Sequence, residues 1–322
     1  MTIRLLRAPD IARACPMVDA IEAVAAGFRA LSSGQATVPL RLSVPLAEGG
    51  VALTMPAGMT GAAAYSVKVV SVAPANAATG RPLVTASVLL GDARTGELLA
   101  LLDGTALTAL RTGAGGGVAA RALAREDAAV AALFGAGAQA RTQLQALAAV
   151  RRLTEVRVVT RDARHAAALI TWAGTDETLA DIAIRVTSAE HAVAGADVVI
   201  TATTSRTPVF SGAGLAAGVH VTAVGSFTRE TRELDAEAMR GARVFVDQRA
   251  AALGEAGELE GLTAGDIAEL GEVLSGAVPG RTAAGERTVF KSVGNAIQDL
   301  VVASRAYERA CDLGIGEEIA FP

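Results

Sequence analysis

The residues with the most specific chemistry stand in the run AAVAALFGAGAQARTQLQAL, where an apolar stretch turns abruptly at Gly135-Ala136-Gly137-Ala138-Gln139-Ala140 and continues as a helix. Strand, glycine turn and helix in that order form the setting in which a dinucleotide pyrophosphate is held. Gly135 would make the tight turn, Gly137 would let the backbone approach the phosphates, and Ala140 would let helix and sheet pack closely. The amides at the helix start, Ala138 and Gln139 among them, would point at the anion. About twenty residues on, where the fingerprint places its ribose-binding residue, the run VRVVT ends at Thr160-Arg161-Asp162. An acidic residue there binds ribose hydroxyls, whereas arginine pairs with a 2′-phosphate. Thr160 and Arg161 favour NADPH, and Asp162 one step later leaves NADH open.

Lysine supplies a second signal. The chain holds two lysines, Lys68 and Lys291, and every other residue of fixed positive charge is arginine. Lysine kept against that background suggests a place that needs a compact charge with a movable pKa. Lys68 lies in YSVKVVSV, a strand apolar on both faces, so its ammonium is expected to be buried and to need an anion. A substrate carboxylate would supply one; the alternative is an edge-strand lysine that discourages aggregation. Arg111 stands between Leu110 and Thr112 in a glycine-rich helix and is either a site residue or half of a structural ion pair. His165, His191 and His220 have neither a histidine four residues away nor a cysteine pair, which argues against a metal site.

The elements that must position these groups fall into two textures. Apolar residues at helical spacing run from Ile11 to Ser33, and between Thr37 and Leu102 come short β-rich runs at 41–45, 51–55, 63–72, 83–90 and 97–102, which reads as a largely antiparallel sheet. GDARTGE, residues 91–97, has the Asp and Gly content of a hairpin connection. A long helix follows from Thr105 to Ala124 with four interior glycines, each costing roughly 1 kcal/mol against Ala, so something must approach it closely. Strands and helices then alternate through residue 224, the pattern of a doubly wound parallel sheet. TVFKSVGNAIQDLVVASRAYERACDLG ends in a helix long enough to pack back on the first domain. The expected fold is α/β, a Rossmann domain over 119–302 with a discontinuous α+β substrate-binding and dimerisation domain over 1–118 and 303–322.

With 322 residues, 51% of them hydrophobic but 3% aromatic, the chain is globular and long enough for two cores. A net charge of −4 without a basic stripe excludes a nucleic-acid partner, and no apolar run approaches the roughly 18 residues of a membrane span. Cys15 and Cys311 are expected as reduced, buried thiols, which with the N-terminus MTIRLLRAPD indicates the cytoplasm. Trp172 and Tyr307 are expected to pack helices.

Three segments, TALTALRTGA, GAGAQARTQLQAL and TVFKSVGNAIQDLVVA, in this order and spread over nearly the whole chain, resemble the ornithine cyclodeaminase and mu-crystallin family. The resemblance implies a homodimer whose N-terminal domain carries the interface and part of the substrate pocket. It implies that Arg41 and Lys68 bind a substrate carboxylate, that Arg111 and Thr112 meet cofactor and substrate, and that Thr85 lines the same pocket. It also puts Thr203, Val224, Gly225 and Ser226 on the cofactor wall, with Lys291 and Ser292 near the nicotinamide, Ser292 orienting the carboxamide. Where cyclodeaminases carry an acid for the amino groups of ornithine and, four residues on, a lysine, this chain has Phe227 and Thr231. The form Gly225-Ser226-Phe227-Thr228 resembles the branch that reduces Δ1-pyrroline-2-carboxylate and Δ1-piperideine-2-carboxylate. The expected reaction is NAD(P)H-dependent reduction of such a small cyclic imino acid, with Arg41 and Lys68 clamping the carboxylate. The imine nitrogen either arrives protonated or receives its proton from Lys68. A cyclodeaminase and a non-catalytic NADPH-dependent ligand binder of the mu-crystallin kind stand as alternatives.

Overall fold

The computed structural model describes residues 2–320, without the side chains of Ala77 and Ala78. The chain divides into two units, Met1–Arg111 with Asn295–Pro322, and Thr112–Gly294. The first break falls inside the long helix over 104–123, seven residues before 118, and the second at the start of the last helix, eight before 302.

Unit 1 begins with β1 (Thr2–Leu6), α1 (Ala8–Ala14) and α2 (Met17–Ser32). The single helix expected from Ile11 is thus two, since Pro16 lacks an N–H and forces Cys15 out of helical geometry (φ −135°, ψ 81°). Then follow β2 (Ala36–Thr37), β3 (Leu42–Pro45), β4 (Val51–Met59), β5 (Ala64–Val72), β6 (Val84–Asp92) and β7 (Leu98–Asp103). β3 to β7 pair antiparallel in succession, and residues 93–97 close the expected β6–β7 hairpin, with Asp92 accepting from the amides of Arg94 and Thr95. α3 (Gly104–Leu123) carries the chain from one unit into the other.

In unit 2, β8 (Val130–Phe134), α4 (Ala138–Val150), β9 (Glu155–Val159), α5 (Ala163–Ala173), β10 (Ala183–Val186), α6 (Ala189–Val193) and β11 (Val198–Thr201) alternate, and β12 (His220–Ala223) follows β11 with only a 3₁₀ turn between. They are followed by α7 (Ala236–Met239), β13 (Arg243–Val246), α8 (Arg249–Glu255), β14 (Ile267–Glu269), α9 (Leu270–Leu274) and β15 (Thr288–Lys291). All pairings are parallel in the order β10-β9-β8-β11-β12-β15-β13-β14, so the order reverses between β8 and β11, the switch point beside which such sheets bind ligands. Alternate residues feed two cores: Ala131, Leu133, Val156 and Val158 pack on one side, Ala132, Phe134, Val199 and Val221 on the other. This is the doubly wound sheet that the alternation of apolar runs predicts.

Two of the four interior glycines of α3, Gly113 and Gly116, are explained within this unit. A Cβ on Gly113 would lie 2.5 Å from the Thr142 carbonyl oxygen, and one on Gly116 would lie 2.0 Å from Gln143 Oε1. The element that approaches is α4, whose Gln143 side-chain amide also donates to the Thr112 carbonyl at 2.8 Å.

The chain returns to unit 1 as α10 (Ala296–Leu313) and β16 (Glu317–Ala320). α10 packs on β4, β5 and β6 and against α1 and α2, as its sequence predicts. β16 completes a sheet in the order β16-β1-β7-β6-β5-β4-β2. One face of this sheet is covered by α10; the other, carrying Leu42, Val44, Tyr65, Val69 and Leu89, is exposed in the single chain. The expectation that β5 is buried on both faces is therefore met on one only. Cys15 is buried, its thiol pushed up to about 12 mainly by burial, but Cys311 is exposed on α10 and not buried as expected.

Candidate active site

Within unit 1, period-two alternation in β5 turns Lys68 toward α10, where it is 1% exposed. Lys68 Nζ lies 2.7 Å from Asp299 Oδ2. The other carboxylate oxygen, Asp299 Oδ1, accepts from Arg111 Nε at 3.1 Å, and Arg111 Nη1 donates to Gln298 Oε1 at 3.0 Å. Arg111 is 6% and Asp299 0% exposed. Burial, then the positive charges of Arg111 and Arg41, lowers the Lys68 pKa to about 8 against the pull of Asp299. Arg41, half buried ahead of β3, is thus close enough to act on Lys68. Of the two readings of Arg111, the ion pair is what the structure shows, and its partner Asp299 is the acid that also faces Lys68.

The anion that Lys68 was expected to find in substrate is in part supplied by Asp299, a residue no motif marks. Its signal is visible in retrospect as Gln298-Asp299 inside the otherwise apolar first turns of α10. One carboxylate facing Lys68 and Arg111, with Arg41 nearby, leaves the cluster positively charged, and a second carboxylate is what such a cluster attracts. Thr85 does not join it. Thr85 pairs with Ser71 while Lys68 pairs with Val88, an odd offset that turns Thr85 to the opposite, exposed face of the sheet.

In unit 2, the turn after β8 has the geometry that a pyrophosphate requires. Gly135 sits at φ +107°, and a Cβ there would be 2.4 Å from the Ala202 carbonyl oxygen. Gly137 caps α4 with no side-chain acceptor, and a Cβ on it would meet nothing within 4 Å. The helix N-terminus therefore opens onto space, with Ala138 exposed, Gln139 Oε1 buried without a hydrogen-bond partner, and Ala140 fully buried against the sheet. These residues fit the phosphates of a dinucleotide. At the end of β9, Thr160 is half buried and Arg161 exposed, while Asp162 caps α5 through the Arg164 amide and pairs with the Arg164 guanidinium at 2.9 Å. That pairing and the capping bonds lower the Asp162 carboxyl to about 2.

Beside the switch point, Glu233 ties two strand ends together. Its carboxylate accepts from Thr201 Oγ1 (2.8 Å), from the amide and hydroxyl of Thr203 (2.7 Å each) and from the Gly225 amide (2.7 Å). Thr203, Val224 and Gly225 are held there by an acid that no motif marks. Ser226 and Ser292 are oriented differently from what was expected. The Ser226 hydroxyl donates to Glu258 and accepts from Lys291 Nζ at 2.7 Å, and the Ser292 hydroxyl donates to Asp247 at 2.8 Å. Lys291 is fully buried with Glu258 Oε2 at 3.4 Å, so the second lysine has a structural partner. Ser292 could meet a carboxamide only as an acceptor.

Phe227 is 44% exposed on the loop after β12, with Thr231 three residues past Thr228 and hydrogen-bonded to it. His220 is a core residue, held between Thr222 and Thr288 and pushed down to about 3 by burial. Among the described residues no three His, Cys, Asp or Glu side chains gather as for a metal, and no helix is long and apolar enough to cross a membrane. Trp172 packs on the core beneath α5 and stacks with the Arg141 guanidinium at 5.3 Å.

Known proteins resemble this arrangement along its whole length. The model of the ornithine cyclodeaminase/mu-crystallin family matches residues 3–313. A Δ1-pyrroline-2-carboxylate reductase of Bacillus cereus is 42% identical over 95% of this chain and 96% of its own. Among solved structures, the Δ1-pyrroline-2-carboxylate reductase of Thermococcus litoralis in complex with NADH and L-proline has a TM-score of 0.92 at 39% identity, covering 98% of this chain and all of that one. An archaeal alanine dehydrogenase dimer with bound NAD has the same TM-score at 33% identity, each chain fully covered. With its nucleotide fingerprint, its buried cation cluster and these matches, the chain belongs to the ornithine cyclodeaminase/mu-crystallin family.

Proposed function

We propose that this protein reduces cyclic ketimine 2-carboxylates with NAD(P)H, converting Δ1-pyrroline-2-carboxylate to L-proline and its six-membered homologue to L-pipecolate. The observation that carries the reading is the buried Lys68–Asp299–Arg111 cluster, whose surplus positive charge suits a substrate carboxylate. The names of the Bacillus and Thermococcus relatives support the substrate class.

The nicotinamide supplies a hydride. The phosphates that carry it would rest on the amides after Gly137, with Gly135 shaping the turn and Thr203 and Gly225 lining the crevice that Glu233 braces. Lys68, Arg111 and Arg41 would hold the carboxylate, and hydride transfer to C2 of the ring calls for a separation of roughly 3–3.5 Å from the donor carbon. In this reading Lys68 protonates the imine nitrogen, and its pKa of about 8, which lets it both hold and release a proton near neutrality, supports that role. We assign the phosphate preference to Arg161, with Asp162 engaged as a helix cap, and hence expect NADPH over NADH.

The exposed apolar face of the unit 1 sheet supports a homodimer, and the archaeal relative is named as a dimer. The free thiols Cys15 and Cys311 suit the cytoplasm.

The deciding experiment compares NADPH oxidation with Δ1-pyrroline-2-carboxylate against ammonia release from L-ornithine with NAD. Cyclodeamination needs an amine held and deprotonated, which the phenyl ring of Phe227 does not do. Imine reduction without ammonia release is expected. Ammonia at a comparable rate would overturn the reading in favour of a cyclodeaminase.

A further inference from the structure

The first turn of α10 is built to aim a carboxylate. Asn295 caps it by accepting from the Ile297 amide at 2.9 Å, and Gln298 reaches back to accept from the Asn295 amide at 2.9 Å. Gln298 Oε1 also accepts from Arg111, so the same capping box that fixes the helix start fixes the guanidinium. Asp299 follows with each oxygen on a different cation, Oδ1 toward Arg111 and Oδ2 toward Lys68. A buried cation without an anion is costly, and one carboxylate shared between two cations restrains both. Three charged groups on three elements therefore face Lys68: Arg111 on α3, Arg41 ahead of β3 and Asp299 on α10. Of these, Asp299 alone favours the ammonium.

We propose that Asp299 is a positioning residue that holds the Lys68 ammonium in place and keeps it charged against Arg111 and Arg41, so that Lys68 can protonate the imine nitrogen. For the task of Lys68, this rests on the reductase reading given above. In the step, a Lys68 Nζ–H bond breaks and an N–H bond forms on the ring nitrogen as C2 takes the hydride. Lys68 is left as a neutral amine on the Asp299 carboxylate and regains its proton from water before the next turnover. Asp299 ends as it began.

Because the chain has two lysines and Lys291 is the other, lysine labelled with carbon-13 at Cε gives two side-chain signals, and Lys68→Met assigns them. The Lys68 titration can then be followed directly, with no substrate present. It is expected near pH 8 in the wild type, at least one unit lower in Asp299→Asn, and within half a unit of wild type in Asp299→Glu. In steady-state assays the alkaline limb of kcat/KM should follow the same shift in Asp299→Asn. Asp299→Glu should lose at least tenfold in kcat with its KM for NADPH unchanged, because its longer side chain moves the ammonium. An unaltered Lys68 midpoint in Asp299→Asn would overturn the proposal. If Asp299→Asn fails to fold, Asp299→Glu decides alone, and wild-type kcat in that variant overturns it. If no imine is reduced by the wild type while the titration shifts as expected, the reductase reading fails and the pairing of Asp299 with Lys68 stands.

Discussion

A buried lysine among arginines can be structural or can meet substrate, and the two roles separate in a variant that removes the charge but keeps the stem. Lys68→Met should fold and bind NADPH, since the nucleotide turn lies in the other unit, and should lose at least roughly tenfold in kcat/KM, about 1.4 kcal/mol of transition-state stabilisation. A folded variant with unchanged kinetics would remove Lys68 from the site. The pH dependence has a definite sign. The lowered pKa means that Lys68 is the ammonium below about 8 and the amine above it, so kcat/KM should be level on the acid side of that value and fall on the alkaline side. Arg161 makes an independent claim: kcat/KM should be higher with NADPH than with NADH, and Arg161→Ala should abolish the difference. Equal use of the two by the wild type would refute the assignment of a 2′-phosphate to Arg161.

At the scale of elements, two glycines two residues apart should fail in opposite ways. Gly135→Ala places a side chain at φ +107° and 2.4 Å from a carbonyl oxygen, and should lower stability by about 1–3 kcal/mol. Gly137→Val has ordinary extended backbone and empty space around its Cβ, so it should unfold within about 0.5 kcal/mol of wild type, as surface substitutions do. It should nevertheless bind NADPH at least about tenfold more weakly, because the space it fills is the one the phosphates need. Thermal melts beside fluorescence titration with NADPH distinguish the two. The glycine turn, the alternating sheet of unit 2 and the close approach on α3 were all legible in the sequence, because each depends on a local pattern of small or apolar residues. Asp299, Glu233 and Glu258 were not. Their partners lie on other elements, Asp299 being 188 residues from Arg111, and a single buried acid leaves no periodic trace. Thr85 was misread for a related reason: strand register decides the face of a residue, and register is a property of two strands and not of one.

The whole molecule leaves one surface unexplained in a single chain. Leu42, Val44, Tyr65, Val69 and Leu89 share one face of the unit 1 sheet, with exposures of 69, 57, 37, 40 and 37%. Scattered apolar side chains are ordinary on a surface, but five of them on one face of one sheet, on β3, β5 and β6, form a grouping of the kind that binds a partner. A second copy of the chain offers the same flat face by two-fold symmetry, and such isologous pairing is the commonest route by which chains associate. Sedimentation should therefore give a mass near twice the 32.4 kDa of one chain. The double variant Val69→Asp, Leu89→Asp puts two like charges on the face without touching Lys68, which points the other way into α10. It should sediment as a single chain while unit 2 still binds NADPH. A wild-type protein that remains monomeric at micromolar concentration, or a double variant that still pairs, would mean that the apolar face is not where two copies meet.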